Sequence, residues 1–143
     1  MALIAVVLLA ACGGASRPEP ANPMPTNPEV ATQLVIEQFL RAANSNDLDT
    51  MARLFGTVDG SILNRDPRQL VDEQMFALAS ILRHEGFTIQ RFEVVPGRRD
   101  EATRAIVNMR FSDRNVDVPY VLVWSKDRTW MIEQIEINRI MGR

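Results

Sequence analysis

The sequence predicts an α+β domain in which three helices come first and pack on a curved antiparallel meander of about four strands. Three features carry this. Apolar residues recur at helical spacing in the first half of the chain and alternate with polar ones in the second. The strand-like runs, 87–95, 102–111, 116–124 and 130–137, are separated by polar breaks short enough for hairpins and too short for parallel crossovers. The helical stripes supply the apolar layer that one face of such a sheet requires.

At the amino end, residues 2–11 form an unbroken apolar run ending at Cys12. It is about ten residues long, half of what a membrane-spanning helix needs, so residues 1–11 read as a secretory signal peptide outside the fold. Leu9-Ala10-Ala11-Cys12 resembles the bacterial lipoprotein lipobox. The resemblance implies cleavage before Cys12, diacylglycerol on its sulfur and a further acyl chain, such as palmitate, on the new amino group. It also implies an exported product anchored in the cell envelope, on the outer membrane facing the periplasm in a diderm. No Lys or Arg precedes the run, so either the Met1 amine is its positive charge or the start lies upstream. After Cys12, the stretch to residue 27 holds Gly13-Gly14, Pro18, Pro20, Pro23 and Pro25. Such a stretch cannot bury enough surface to offset its ordering entropy and reads as a tether. Extended, it spans on the order of 40 Å at ~3.1 Å per residue. A single folded domain is expected over 28–143.

Asn27-Pro28-Glu29 opens the first helix: Asn caps, Pro suits the first helical position and Glu suits the positive helix end. Val35, Ile36, Phe39, Leu40 and Ala43 form its apolar stripe, which Asn44-Ser45-Asn46 breaks. Asn46 or Asp47 caps a shorter helix with Leu48, Met51, Ala52 and Phe55 on one face, and Gly56 is expected to end it. Residues 56–66 read as a loop, with Ser61-Ile62-Leu63 as a brief strand. Asp66-Pro67 starts a third helix whose stripe is Leu70, Val71, Met75, Leu78, Ala79 and Leu82, with Arg83 and His84 in its last turn and Gly86 as its stop.

In the meander, Thr103, Ala105, Val107, Met109 and Phe111 share a face, opposite Arg104, Ile106, Asn108 and Arg110. Val116, Val118, Tyr120, Leu122 and Trp124 share another. Val121 and Val123 lie behind them, so this run is covered on both sides. Trp130, Ile132 and Gln134 oppose Met131, Glu133 and Ile135, and the alternation continues to Asn138. Pro119 lacks an N–H and is expected at a strand start, an edge or a bulge.

The chain has 143 residues, 46% hydrophobic and 24% charged, which suits one globular domain. A formal net charge of -2 gives no electrostatic footprint for nucleic acid. One Cys excludes an intramolecular disulfide, and one Cys with one His argues against a structural zinc site. Neither a metal nor a cofactor is expected.

From Phe39 to Phe55 the chain reads Phe-Leu-Arg-Ala-Ala-Asn-Ser-Asn-Asp-Leu-Asp-Thr-Met-Ala-Arg-Leu-Phe, and Trp130-Met131-Ile132 falls late in the meander. With the element order, these residues resemble the nuclear-transport-factor-2-like superfamily, which includes ketosteroid-isomerase-like and SnoaL-like polyketide-cyclase proteins. The resemblance implies a cone-like sheet with an apolar pocket between sheet and helices, and frequent sheet-to-sheet dimerisation, which would make Arg104, Asn108, Arg110 and Val121 interfacial. Fold alone does not give function.

The enzymes of that superfamily use pocket acids, histidines and tyrosines. No motif position matches one of them here, so no catalytic residue is carried over. The candidates for lining a pocket are Tyr120, Asp117, Glu133 and Trp124. Their plainer readings are a core residue for Tyr120 and a solvated strand face for the two acids. Arg104 and Arg110 form a candidate anion patch, or a solvated face balanced by nearby acids. His84 reads as a helix-end cap. These residues point to a noncatalytic domain that binds a small apolar ligand or a partner protein. Acids converging in a closed pocket would favour an isomerase or cyclase instead, and an interior filled by its own side chains a sheet-to-sheet dimerising scaffold.

Overall fold

The computed structural model describes residues 27–98 and 101–142. The expected signal peptide and lipidation site at Cys12, and the proline-rich stretch as far as residue 26, lie outside the described residues, as do Arg99 and Asp100. The elements are α1 (Pro28–Ser45), α2 (Leu48–Leu54), β1 (Gly56–Thr57), β2 (Gly60–Ser61), a 3-10 turn (Ile62–Asn64), α3 (Arg68–Ile81), β3 (Gly86–Val94), β4 (Ala102–Arg110), β5 (Asn115–Trp124), β6 (Trp130–Ile135) and α4 (Asn138–Met141). β3 to β6 form one antiparallel sheet in chain order. β1 and β2 are a separate short hairpin, joined to the sheet by a parallel bridge from Phe55 to Ile132.

α1 begins as its residues dictate. The Asn27 side chain accepts from the Glu29 and Val30 amides, and Pro28 occupies the first turn. It ends at Asn46, which takes the left-handed conformation (φ 54) that asparagine tolerates. Asp47 caps α2, accepting from the Thr50 hydroxyl at 2.7 Å and its amide at 3.1 Å; these bonds hold the carboxyl below its ordinary range.

Several expectations need correction. Gly56 does not end α2: the helix stops at Leu54, Phe55 is already extended, and Gly56 opens β1. The brief strand is Gly60–Ser61, and residues 62–64 wind into the 3-10 turn. Pro67 itself holds the cap position of α3, because Asp66 is turned to Arg65 at 3.1 Å. Leu70 is 43% exposed, since it lies about 100° round the helix from the buried line of Val71, Met75, Ala79 and Leu82. α3 ends at Ile81, so His84 falls beyond its last turn, and Gly86 opens β3.

Two bulges reset the strand faces. The β3–β4 register shifts between Ile89 and Arg91, which puts Phe92 on the same face as Phe87 and Ile89 despite the odd spacing. The β5–β6 register shifts between Val121 and Leu122, opposite Glu133. Ile132 and Ile135 therefore both pack on the core, where strict alternation would have separated them. The closing run ends at Ile135, and residues 138–141 form α4. Pro119 lies inside a central strand, opposite Ile106. It is tolerated because the ladder to β6 ends at Tyr120: the Pro119 carbonyl accepts from the Glu136 amide at 3.0 Å, and its missing N–H falls where that ladder stops.

The helices cover one face of the sheet. Phe39, Leu40, Met51, Met75, Met109, Tyr120 and Leu122 are fully or almost fully buried between the layers. A smaller cluster of Ala102, Val123 and Met131 lies on the other face, with Val58 and Val95 against it. The β1–β2 hairpin is latched there by the Lys126 amide on the Val58 carbonyl (2.7 Å) and by Lys126 Nζ on Asp59 (2.6 Å).

Candidate functional site

The space where a pocket is expected is occupied. Tyr120 is 0% exposed, and its hydroxyl donates to Met109 Sδ at 3.3 Å. Among the described residues the buried polar side chains are Thr32 and Ser125, and no His, Asp or Glu is fully buried. Burial raises the Tyr120 pKa far above its ordinary value near 10. A raised pKa adds stability that is present below pH ~10 and lost as pH rises past it. Tyr120 is the one tyrosine in the chain, so tyrosinate absorbance reports it alone. We expect no tyrosinate signal from the native protein well above pH 10; the signal should appear together with the loss of near-ultraviolet dichroism. A native, reversible titration near 10 would show that water reaches the hydroxyl.

Trp124 is half-buried on the same face and meets Trp130 edge-on, ring centroids 5.6 Å apart. The Trp130 indole N–H is buried without an acceptor among the described residues. The two candidate acids do not join this cluster. Asp117 is exposed on the outer sheet face, where its Oδ1 accepts from Asn108 Nδ2 at 2.7 Å. Glu133, at the bulge, is held by Arg98 through contacts of 2.6 and 3.2 Å. The Glu133 side chain raises the Arg98 pKa through that pairing, so its carboxylate is committed to an ion pair with Arg98.

Arg104 and Arg110 share the outer face but have different surroundings. Arg104 is half-buried, and its Nε is sealed from solvent with no acceptor among the described residues. Arg110 is exposed at the sheet end, 4.0 Å from a Glu85 carboxylate oxygen and packed over Gly86. Between them, Ile106, Pro119 and Val121 make a buried apolar strip that, among the described residues, lies outside the core under the helices.

His84 is held in place. A carbonyl can only accept, so Nδ1–H donates to Leu82 O at 2.8 Å. The Asn44 side chain grips the His84 peptide twice, accepting from its N–H at 3.1 Å and donating to its carbonyl at 3.0 Å. His84 lines two shallow clefts of about 430 and 460 Å³, one shared with Glu37, Arg41 and Phe87, the other with Arg83, Phe111 and Arg114. A third groove, of about 470 Å³, runs between α1 and β3. Sequence reading missed it, although Glu29, Gln33 and Glu37 recur every four residues along α1 and so share one ridge. Among the described residues, no cluster of His, Cys, Asp and Glu could hold a metal ion, and no helix is long and apolar enough to cross a membrane.

Helices on one face of a curved antiparallel sheet, with a short hairpin bridged in parallel to its last strand, define the nuclear-transport-factor-2-like fold. A solved structure from Silicibacter pomeroyi, described as a nuclear-transport-factor-2-like protein of unknown function, superposes with a TM-score of 0.51 at 11% identity, over 75% of this chain and 91% of that one. A protein of the same description from Shewanella oneidensis gives a TM-score of 0.49 at 18% identity, over 76% and 97%. No protein-family model matches the chain, and no curated protein sequence does. The chain thus shares its fold with the Silicibacter pomeroyi protein, and its function has to be argued from its own residues.

Proposed function

We propose that the chain is an exported lipoprotein, anchored in the bacterial envelope through Cys12, whose folded domain is a noncatalytic protein-binding scaffold that pairs with a second copy through its sheet. The observation that carries this reading is the filled interior. Phe39, Met51, Met75, Tyr120 and Leu122 occupy the space between helices and sheet, and among the described residues no acid or histidine is buried with them. General acid–base chemistry needs such a group within reach of a bound substrate, and a small apolar ligand needs a cavity. The outer face offers the alternative. Its apolar strip is flanked by both charge signs on neighbouring strands, Glu93 on β3, Arg104 and Arg110 on β4 and Asp117 on β5. Such a pattern can complement itself across a twofold axis.

Sedimentation velocity of the full chain in detergent should give a dimer at micromolar concentration. Adding cations on the outer face, at half-buried Asn108 and exposed Gln134 (Asn108→Arg with Gln134→Arg), should give a monomer that still unfolds cooperatively, the new arginine at position 108 lying beside Asp117. A parent chain that stays monomeric at every concentration removes the sheet-pairing reading. Cys12→Ser, assayed separately by membrane fractionation, should release the protein or block its processing; continued membrane retention of the processed variant removes the anchor.

A further inference from the structure

Six consecutive residues of β3, Phe87 through Phe92, line one wall of the 470 Å³ groove, and Glu29, Gln33 and Glu37 line the other. Successive strand side chains point to opposite faces, so six in a row can share a groove only along the edge of the strand. β3 is an edge strand, paired on one side with β4 and, among the described residues, with no strand on its other side to take up its main-chain groups. The second wall is a single ridge of α1, because positions four apart stack on one helix face. The groove therefore lies between two rods and has the shape of an extended peptide.

Its charge selects the occupant. Neither Glu29 nor Glu37 is in an ion pair among the described residues; Glu37 only accepts from Gln33 Nε2, at 2.9 Å. Arg91, on the strand wall, is neutralised by Glu93 at 2.8 Å. We propose that the groove binds an extended, basic segment of a partner protein, which adds as a strand to the free edge of β3 and sets Lys or Arg side chains against Glu29 and Glu37. Main-chain pairing supplies the attachment and the alternate side chains the selectivity. Half-buried Phe87, Ile89 and Phe92 give the intervening positions apolar contact. A second copy of this chain is the poorer occupant. Pairing two β3 edges would bring two Glu29–Glu37 ridges to one seam, and the bulge after Ile89 breaks the continuous ladder that such a dimer needs. A short segment can pair on one side of the bulge.

The test uses the full chain, isotope-labelled in detergent, titrated with a peptide of about eight alternating Lys and Val residues, a typical strand length. Amide shifts should concentrate on 87–92 and the first half of α1. Glu29→Lys with Glu37→Lys should weaken binding about tenfold or more. Glu29 stands in the first turn of α1, where a cation is unfavourable, and Glu37 is half-buried, so thermal unfolding is measured alongside. The milder Glu29→Gln with Glu37→Gln should weaken binding in the same direction with the fold intact. A peptide with Glu in place of Lys should not bind, and N-methylation at alternate residues should abolish binding. Three results overturn the proposal: no shifts at millimolar peptide, equal affinity for the charge-reversed variant, or shifts centred elsewhere. The Asn108→Arg/Gln134→Arg variant should bind the peptide normally, so failure of sheet pairing and failure of this groove are read separately.

Discussion

Gly56→Ala is expected to destabilise the domain by about 3 kcal/mol, a large share of the ~5–15 kcal/mol that holds a domain together. A Cβ on Gly56 would stand 2.1 Å from the Gly60 carbonyl oxygen and 2.9 Å from the Ser61 Cα. Both obstacles are main chain, so no rotamer change relieves them. The hairpin has to open, and with it go the latch from Lys126 to Val58 and Asp59 and the cover that Val58 gives to Ala102, Val123 and Met131. Gly97→Ala is the control. Gly97 has a positive φ of 76 but nothing within 4 Å, so its loss should be limited to the backbone penalty of about 1–2 kcal/mol. Urea unfolding of both variants, compared at equal m-value, tests the contrast. Equal losses would mean that the β1–β2 hairpin packs more loosely than described.

Most of the fold was legible because local chemistry and tertiary packing agree in it. The Asn27 and Asp47 caps, the Asn46 break and the four strand runs each follow from residues a few positions apart. The failures come where a partner distant in sequence decides. Asp66 was available as a cap but is occupied by Arg65, and Pro119 sits in a central strand only because the β6 ladder ends beside it. Neither bulge leaves a signature in strict alternation; each shows only in the spacing Ile89-x-x-Phe92 or Ile132-x-x-Ile135 once both residues are known to be buried. The candidate site was less legible. Which face of β5 holds Tyr120 was readable, but whether the space around it is open depends on how Phe39, Met51 and Met75 fill it from three helices. Asp117 and Glu133 were separable from the interior only once the outer face and the bulge had been placed. The α1–β3 groove joins residues some fifty positions apart, and nothing local signals that β3 is the open edge.

The other large effect is expected at Phe39, and it bears on whether the interior is filled. Phe39 is 0% exposed and stacks on Phe55 with ring centroids 6.2 Å apart. Phe39→Ala should cost about 3–5 kcal/mol, the transfer of the ring plus the cavity left behind, because α1 and the sheet are too tightly held to collapse into the gap. The cavity would be lined by apolar side chains and so should stay dry and accept a small aromatic such as benzene. Saturating the variant to a hundred times its dissociation constant should restore about 2.7 kcal/mol. The parent, whose interior already holds that ring, should show no shift in its unfolding midpoint under the same benzene concentration. Stabilisation of the parent by an equal amount would mean that an open apolar cavity exists between sheet and helices. That outcome would move ligand binding ahead of the scaffold reading. If the variant is destabilised as expected yet gains nothing from benzene, the helices have closed over the gap and packing around Phe39 is softer than its burial implies.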